Sequence, residues 1–296
     1  MGRIFQRLNR RPALDTRSRC ALWAVIGGLV ILAAPAAHAQ TPSPLAEWQY
    51  SPGIQLARLF EPTIPTWQVD LGIGVQASPL YPGAGRYQVR PGPAVNVYYK
   101  DRAFLSTGEG VGANLFSFRH IRFGAAISYD LGRSQHDDGK ALTGLGTLHA
   151  TPEIKLFADY VISKSFPLDI RVDARKQIWG TYGYIGDVGA YLPMPGSSET
   201  FVWFAGPTVT WASGQYMQGY FGVSGKQAQS SHYRRYNAYG GLDSAGFGVS
   251  ASWVVTRHVI LNADMAYQRL LGSAQNSPIT DSRNQCVGSI SAVYKF

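Results

Sequence analysis

Reading back from Phe296 in steps of two gives Tyr294, Ala292, Ile290, Gly288 and Cys286, all apolar or small. The positions between them, Lys295, Val293, Ser291, Ser289, Val287 and Gln285, are more polar. A period of two is that of a strand with one greasy face, and here it runs to the last residue. The pattern recurs upstream. Trp67, Val69, Leu71, Ile73, Val75 and Ala77 alternate with Gln68, Asp70, Gly72, Gly74 and Gln76, and Ile121 to Leu131 and Phe247 to Val255 behave alike. In the stretch after Leu168, Asp169, Arg171, Asp173 and Arg175 alternate with Ile170, Val172 and Ala174. Charges at every second position are very costly against lipid, so they must face a polar interior.

These strands are too long for a soluble β-sandwich, whose strands average about five or six residues. About 9–11 residues are needed to cross a bilayer at a tilt. A charged fraction of only 15% with 33 glycines and 17 tyrosines suits a wall that is apolar on one face alone. The expectation is therefore an all-β chain, a transmembrane antiparallel β-barrel. Strands are expected over 67–77, 90–100, 102–107, 111–117, 119–131, 151–163, 167–178, 181–193, 200–212, 246–256, 258–271 and 285–296. The pair 102–107 and 111–117 also reads as one strand broken by Gly108, Gly110 and Gly112. Parity favours two. With both ends at the periplasmic rim the count must be even, and the long connections 78–89, 132–150, 213–245 and 272–284 then all lie outside. Trp67, Phe201, Trp253 and Phe296 fall near the periplasmic boundary, and Trp179 and Trp211 near the outer one, as interfacial aromatics should.

The amino end fits export. Arg3, Arg7, Arg10, Arg11, Arg17 and Arg19 precede an apolar run from Ala21 to Ala34 and then Ala37-His38-Ala39. This is the layout of a signal peptide covering 1–39, cut between Ala39 and Gln40. As a membrane anchor the run is short: fourteen residues rise about 21 Å, against a ~30 Å hydrocarbon core. Six of the 27 basic residues and one of the 18 acidic ones lie in the leader, leaving 21 against 17, a net +4. Basicity is thus largely the export signal, and no nucleic-acid partner is expected. Only Cys286 remains beyond the leader, too few for an internal disulfide. Residues 40–66 carry Pro42, Pro44, Pro52, Pro62 and Pro65, which exclude a long helix or central strand. This segment reads as a loose periplasmic tail, or alternatively as a partial plug or partner contact.

Ser78-Pro79-Leu80-Tyr81-Pro82-Gly83, Tyr216-Met217-Gln218-Gly219-Tyr220-Phe221-Gly222-Val223, and Leu270 to Ile279 followed by Arg283-Asn284-Gln285 resemble the MipA/OmpV family of outer-membrane proteins. The resemblance runs from about Trp67 to Phe296. It implies a Gram-negative outer-membrane barrel and interaction with a lytic transglycosylase, MltA, in a scaffold that links murein synthase to hydrolase. Other relatives are regarded as porin-like proteins or adhesins. In barrels of this kind Ile290, Ala292, Tyr294 and Phe296 would form the closing-strand signal read by the barrel-assembly machinery.

Two residue sets are candidate sites. In the longest outer loop, Tyr216, Tyr220, Phe221, Tyr233, Arg234, Arg235 and Tyr236 combine aromatics with paired guanidinium groups. Arginine matches phosphate geometry, so lipopolysaccharide or an anionic solute is a candidate ligand; packing over the barrel mouth is the other reading. Inside, Glu153, Lys155 and Asp159 share a face with Asp169, Arg171, Asp173 and Arg175. They form a lumen ladder, either structural or a constriction that selects solutes.

Catalysis is not expected. His136-Asp137-Asp138 between glycines reads as a loop tip, and no nucleophile elbow or His-Glu-x-x-His pair occurs. No metal or cofactor is implied. The reading is a non-enzymatic barrel that docks murein-remodelling enzymes, with a narrow porin-like channel or a surface adhesin as alternatives.

Overall fold

The computed structural model describes residues 65–296 apart from 101, 119, 164 and 199. Ala39, Gln40 and the proline-rich segment up to residue 64 lie outside the described residues. The described chain forms twelve strands: β1 (Trp67–Pro79), β2 (Tyr87–Tyr99), β3 (Ala103–Ser106), β4 (Gly110–Phe118), β5 (Ile121–Asp130), β6 (Thr151–Val161), β7 (Asp169–Gln177), β8 (Tyr184–Pro193), β9 (Phe201–Ala212), β10 (Gly241–Val254), β11 (Val259–Leu270) and β12 (Asn284–Lys295). Each is antiparallel to its chain neighbours, and β12 returns to β1 with Lys295 opposite Asp70 and Gly288 opposite Ala77. The Phe296 amide extends this seam, donating to the Val69 carbonyl at 3.0 Å. Closure gives the first and last strands a partner on both sides. In hydrocarbon each unpaired backbone group costs several kcal/mol, so a membrane sheet must close.

Twelve strands match the sequence reading, with differences at their ends. β2 starts at Tyr87 rather than 90 because Tyr87 to Val89 already pair with Pro79 to Ala77. β10 starts at Gly241 rather than 246, pairing with β9 across a register shift between Leu242 and Ser244. β3 and β4 are two strands because the chain turns over at 107–109. Gly110 takes φ +86°, and a Cβ there would stand 2.1 Å from the Ile127 carbonyl oxygen, so only glycine fits.

The alternation follows the wall. On β1 and β12, Ile73 and Ile290 point outward and are 76% and 68% exposed, while Asp70 and Val293 turn inward and are buried. One rim carries both barrel ends and the short connections at 100–102, 119–120, 162–168, 194–200 and 255–258. The opposite rim carries the longer loops 131–150, 213–240 and 271–283. Aromatics ring both boundaries: Trp67, Phe201 and Trp253 at the first, Trp179, Tyr182 and Trp211 at the second. No described helix is long and apolar enough to cross a membrane.

The 213–240 loop folds rather than meandering. It holds α1 (Gly214–Phe221) and α2 (Gly225–Ser230), and a short α3 (Gly272–Gln275) lies in the 271–283 loop. Ser213 caps α1 by accepting from the Tyr216 amide at 3.4 Å. Ser224 and Gln227 form a reciprocal capping box on α2.

Candidate functional site

One side of the interior carries a charged network built from the β3–β4 turn and the inward residues of β5 to β9. Asp159 on β6 lies opposite Arg171 on β7, and Lys155 opposite Arg175. Arg171 donates to Asp159 at 3.1 Å and to Glu109, from the β3–β4 turn, at 3.2 Å. Arg122 on β5 donates to the second Asp159 oxygen at 2.8 Å. Arg175 donates to Asp173 at 3.2 Å and pairs with Asp187 on β8, which also accepts from Thr210 on β9. The Arg171 guanidinium lies 4.8 Å from the Phe157 ring centroid. Glu153 accepts from Ser128 at 3.3 Å. Asp169 is fully buried, and neither of its carboxylate oxygens has a hydrogen-bond partner among the described residues. Charges therefore form a network along one side of the lumen, from the β3–β4 turn through β5, β6 and β7 to β8. Glu109, Arg122 and Asp187 belong to it and were not singled out from sequence. Asp187 carried a usable signal, an inward charge on a strand of period two.

Above the network sits a plug. Tyr216, Met217, Tyr220 and Phe221 of α1 pack on Ile185, Leu270 and Ala274, and the Tyr216 and Tyr220 rings stack at 4.6 Å. The Tyr220 hydroxyl bonds both oxygens of Asp130 at 2.6 and 2.7 Å, and Gln177 donates to the same carboxylate. Arg133 donates to the Tyr220 carbonyl at 2.9 Å, and Ser277 to the Phe221 carbonyl at 2.6 Å. Burial pushes the Tyr216 phenol well up and the Arg133 guanidinium down. A second cluster, Tyr81, Leu142, Leu145, Val223 and Ile279, ties four outer loops together. A cavity of about 50 Å³ remains beneath, bordered by Tyr81, Tyr216, Tyr220 and Gln285.

The outer-loop candidates thus separate. Tyr216, Tyr220 and Phe221 go into the plug, and Tyr236 joins it by donating to the Ser273 carbonyl at 2.8 Å. Tyr233 is half-buried against the second cluster, and Arg234 and Arg235 are exposed. At the closing strand Ile290, Ala292, Tyr294 and Phe296 face outward, with Tyr294 and Phe296 edge to face at 4.8 Å. In the loop tip, Asp137 accepts from the Ser134 amide at 2.8 Å, and Asp138 pairs with Arg86. No group of three or more His, Cys, Asp or Glu poised for a metal occurs among the described residues.

The Arg86–Asp138 pair straps the β1–β2 loop to the 131–150 loop. The hydrogen bond from Arg86 holds the Asp138 carboxyl below the usual range. A depressed folded-state pKa stabilises above the unfolded value near pH 4, and the contribution is lost as pH falls through the folded value. Hydrogen exchange in residues 131–150 is expected to rise on acidification. Asp138→Asn at neutral pH should give the same increase, and unchanged exchange in that variant would count against the strap.

The family described as MltA-interacting protein MipA matches residues 71–296. Outer membrane protein Omp26La of Vibrio anguillarum is 28% identical over 201 residues, spanning 66% of this chain and 70% of the relative. Outer membrane protein OmpV of Vibrio cholerae is 28% identical over 179 residues, spanning 58% of this chain and 63% of its own length. Among solved structures, the translocator domain of the autotransporter NalP from Neisseria meningitidis superposes with a TM-score of 0.42 at 13% identity, over 88% of this chain and 100% of that one. The NanC porin gives 0.41 at 8% identity, over 77% and 100%. With its closed wall, apolar outer face and matched family, the chain belongs to the MipA family and is a β-barrel of the outer membrane.

Proposed function

We propose that this barrel is a non-enzymatic scaffold that docks murein-remodelling enzymes, a lytic transglycosylase of the MltA kind and with it a murein synthase, at its periplasmic rim. The observation that carries the reading is the occupied interior: ion pairs line one side of the lumen and α1 packs into the outer mouth, which suits an anchored platform better than a wide pore. The family description, which names MltA as a partner, supports the choice of enzyme. The tight periplasmic turns offer such an enzyme a surface. Detergent-solubilised protein should retain a lytic transglycosylase through affinity purification, and lose it when residues 40–64 or the 194–200 turn are replaced. Failure of the intact protein to retain any murein enzyme would refute the proposal.

The charged row inside the lumen favours a second reading, a narrow porin-like channel for small solutes. Arg234 and Arg235 add a surface role, holding lipopolysaccharide phosphates. Alanine at both positions is expected to lower lipopolysaccharide retention severalfold with no change in unfolding temperature. Equal retention would leave these arginines without that role.

A further inference from the structure

The wall is not equally tall all the way round. β3 is four residues long and pairs with β2 only from Asn96 to Tyr99, whereas β2 continues outward for nine more residues, to Tyr87. Past Thr107, which bonds Val95 through both its amide (2.9 Å to the Val95 carbonyl) and its hydroxyl (2.9 Å from the Val95 amide), no described strand pairs with that edge. The Val95 contacts also fix which way the edge faces. N–H and C=O groups of alternate residues point to the same side of a strand. Pro91 and Pro93, in step with Val95, therefore direct their nitrogens toward the missing neighbour. Proline removes two donors that would otherwise stand unpaired in hydrocarbon, and it blocks strand addition there. An open edge is thus built into the sequence.

The opening has chemistry on both sides. Pro91, Gly92 and Pro93 are all exposed, although Gly92 shares the inward parity of Arg90 and Ala94, and a Cβ on Gly92 would meet nothing within 4 Å among the described residues. On the lipid face a groove of about 500 Å³, bordered by Ile73, Val75, Leu261 and Ile290, runs up to Pro91 and Gly92. One residue further, Arg90 turns inward; the residue is half-buried, and its Nη1 is shielded from water with no hydrogen-bond partner among the described residues. A guanidinium nitrogen shielded from water without an acceptor is costly, and an anion accepting from it would remove that cost.

We propose that this gap is a lateral binding site for a single-tailed anionic amphiphile. The tail lies in the groove between Ile73 and Ile290, and the carboxylate or phosphate head passes the Pro91–Pro93 edge to reach Arg90. The outer mouth is plugged, so the wall is the route by which such a molecule meets the interior.

The test uses the full-length protein in phosphatidylcholine nanodiscs, with dodecanoate, dodecyl phosphate and neutral dodecanol as probes in titration calorimetry. Both anions should bind saturably and dodecanol at least tenfold more weakly. Arg90→Gln should weaken both anions by about tenfold, the scale of one charge-assisted hydrogen bond, and leave dodecanol unchanged. Gly92→Trp, placed where there is room for a side chain, should abolish binding of all three. Gly92→Leu serves as the second variant if the tryptophan lowers the unfolding temperature. Preference for dodecyl phosphate supports a phosphate-bearing lipid as the occupant, and preference for dodecanoate supports a free fatty acid. Absence of saturable binding, or anion binding indifferent to Arg90→Gln, overturns the proposal. Neither result bears on enzyme docking at the periplasmic rim.

Discussion

Arg171→Met is expected to destabilise the barrel by about 3–5 kcal/mol, the usual cost of removing one partner from a buried ion pair. Arg171 joins Asp159 on the next strand to Glu109 on a distant turn, and its guanidinium covers the Phe157 ring. Without it, both carboxylates lose a charged donor in a region walled off from water, and the ladder fixes both the strand of Asp159 and the tight β3–β4 turn that carries Glu109. Asp159 keeps Arg122, so the larger loss falls on Glu109. Adding Glu109→Gln to Arg171→Met should therefore restore part of the stability, a coupling that independent sites do not show. Urea unfolding in detergent micelles measures both variants. A loss under 1 kcal/mol for the single variant would mean that the network is well hydrated and contributes little.

Tyr220→Ala should release the plug while leaving the wall intact. The side chain is buried in the α1 cluster, and its single hydroxyl proton is shared between the two oxygens of Asp130. Truncation leaves a cavity and removes one of three donors to the buried carboxylate, which keeps the Gly132 amide and Gln177. About 3 kcal/mol of local stability is at stake, which is on the order of a 100-fold rise in the open population of the loop. Protease cleavage within 213–240 should accelerate by that factor with far-ultraviolet circular dichroism unchanged. Tyr220→Phe keeps the ring and should show a smaller effect. An unaltered cleavage rate in Tyr220→Ala would show that α1 is held by other contacts.

The wall was legible in the sequence because lipid enforces it. Ile73 and Ile290 must be apolar and Asp70 must turn inward, and a period of two records both demands at every step. Strand ends were less legible. Tyr87 to Val89 pair with β1 although Pro91 follows, because the prolines sit on the open edge where they break no ladder. The plug was harder still. α1 has only eight residues, two of them glycines, and short helices are fixed by tertiary packing rather than by propensity. Tyr216 and Tyr220 therefore read as loop aromatics with two opposite roles open to them. The lumen network was half visible: β6 and β7 present their charges in a regular row, whereas Glu109 lies in a turn and Asp187 stands as the lone charge on β8. Cross-strand partners of that kind follow from closure and register, which periodicity alone does not encode.

Single-channel recording of the purified protein in planar bilayers tests the filled, capped barrel most directly. Ion pairs inside the lumen and α1 in the mouth predict a quiet baseline for the intact protein, with brief openings appearing in Tyr220→Ala. Large, stable, ohmic steps from the intact protein would contradict the account, since they require a continuous water-filled path where Arg171, Arg175 and Tyr220 now stand.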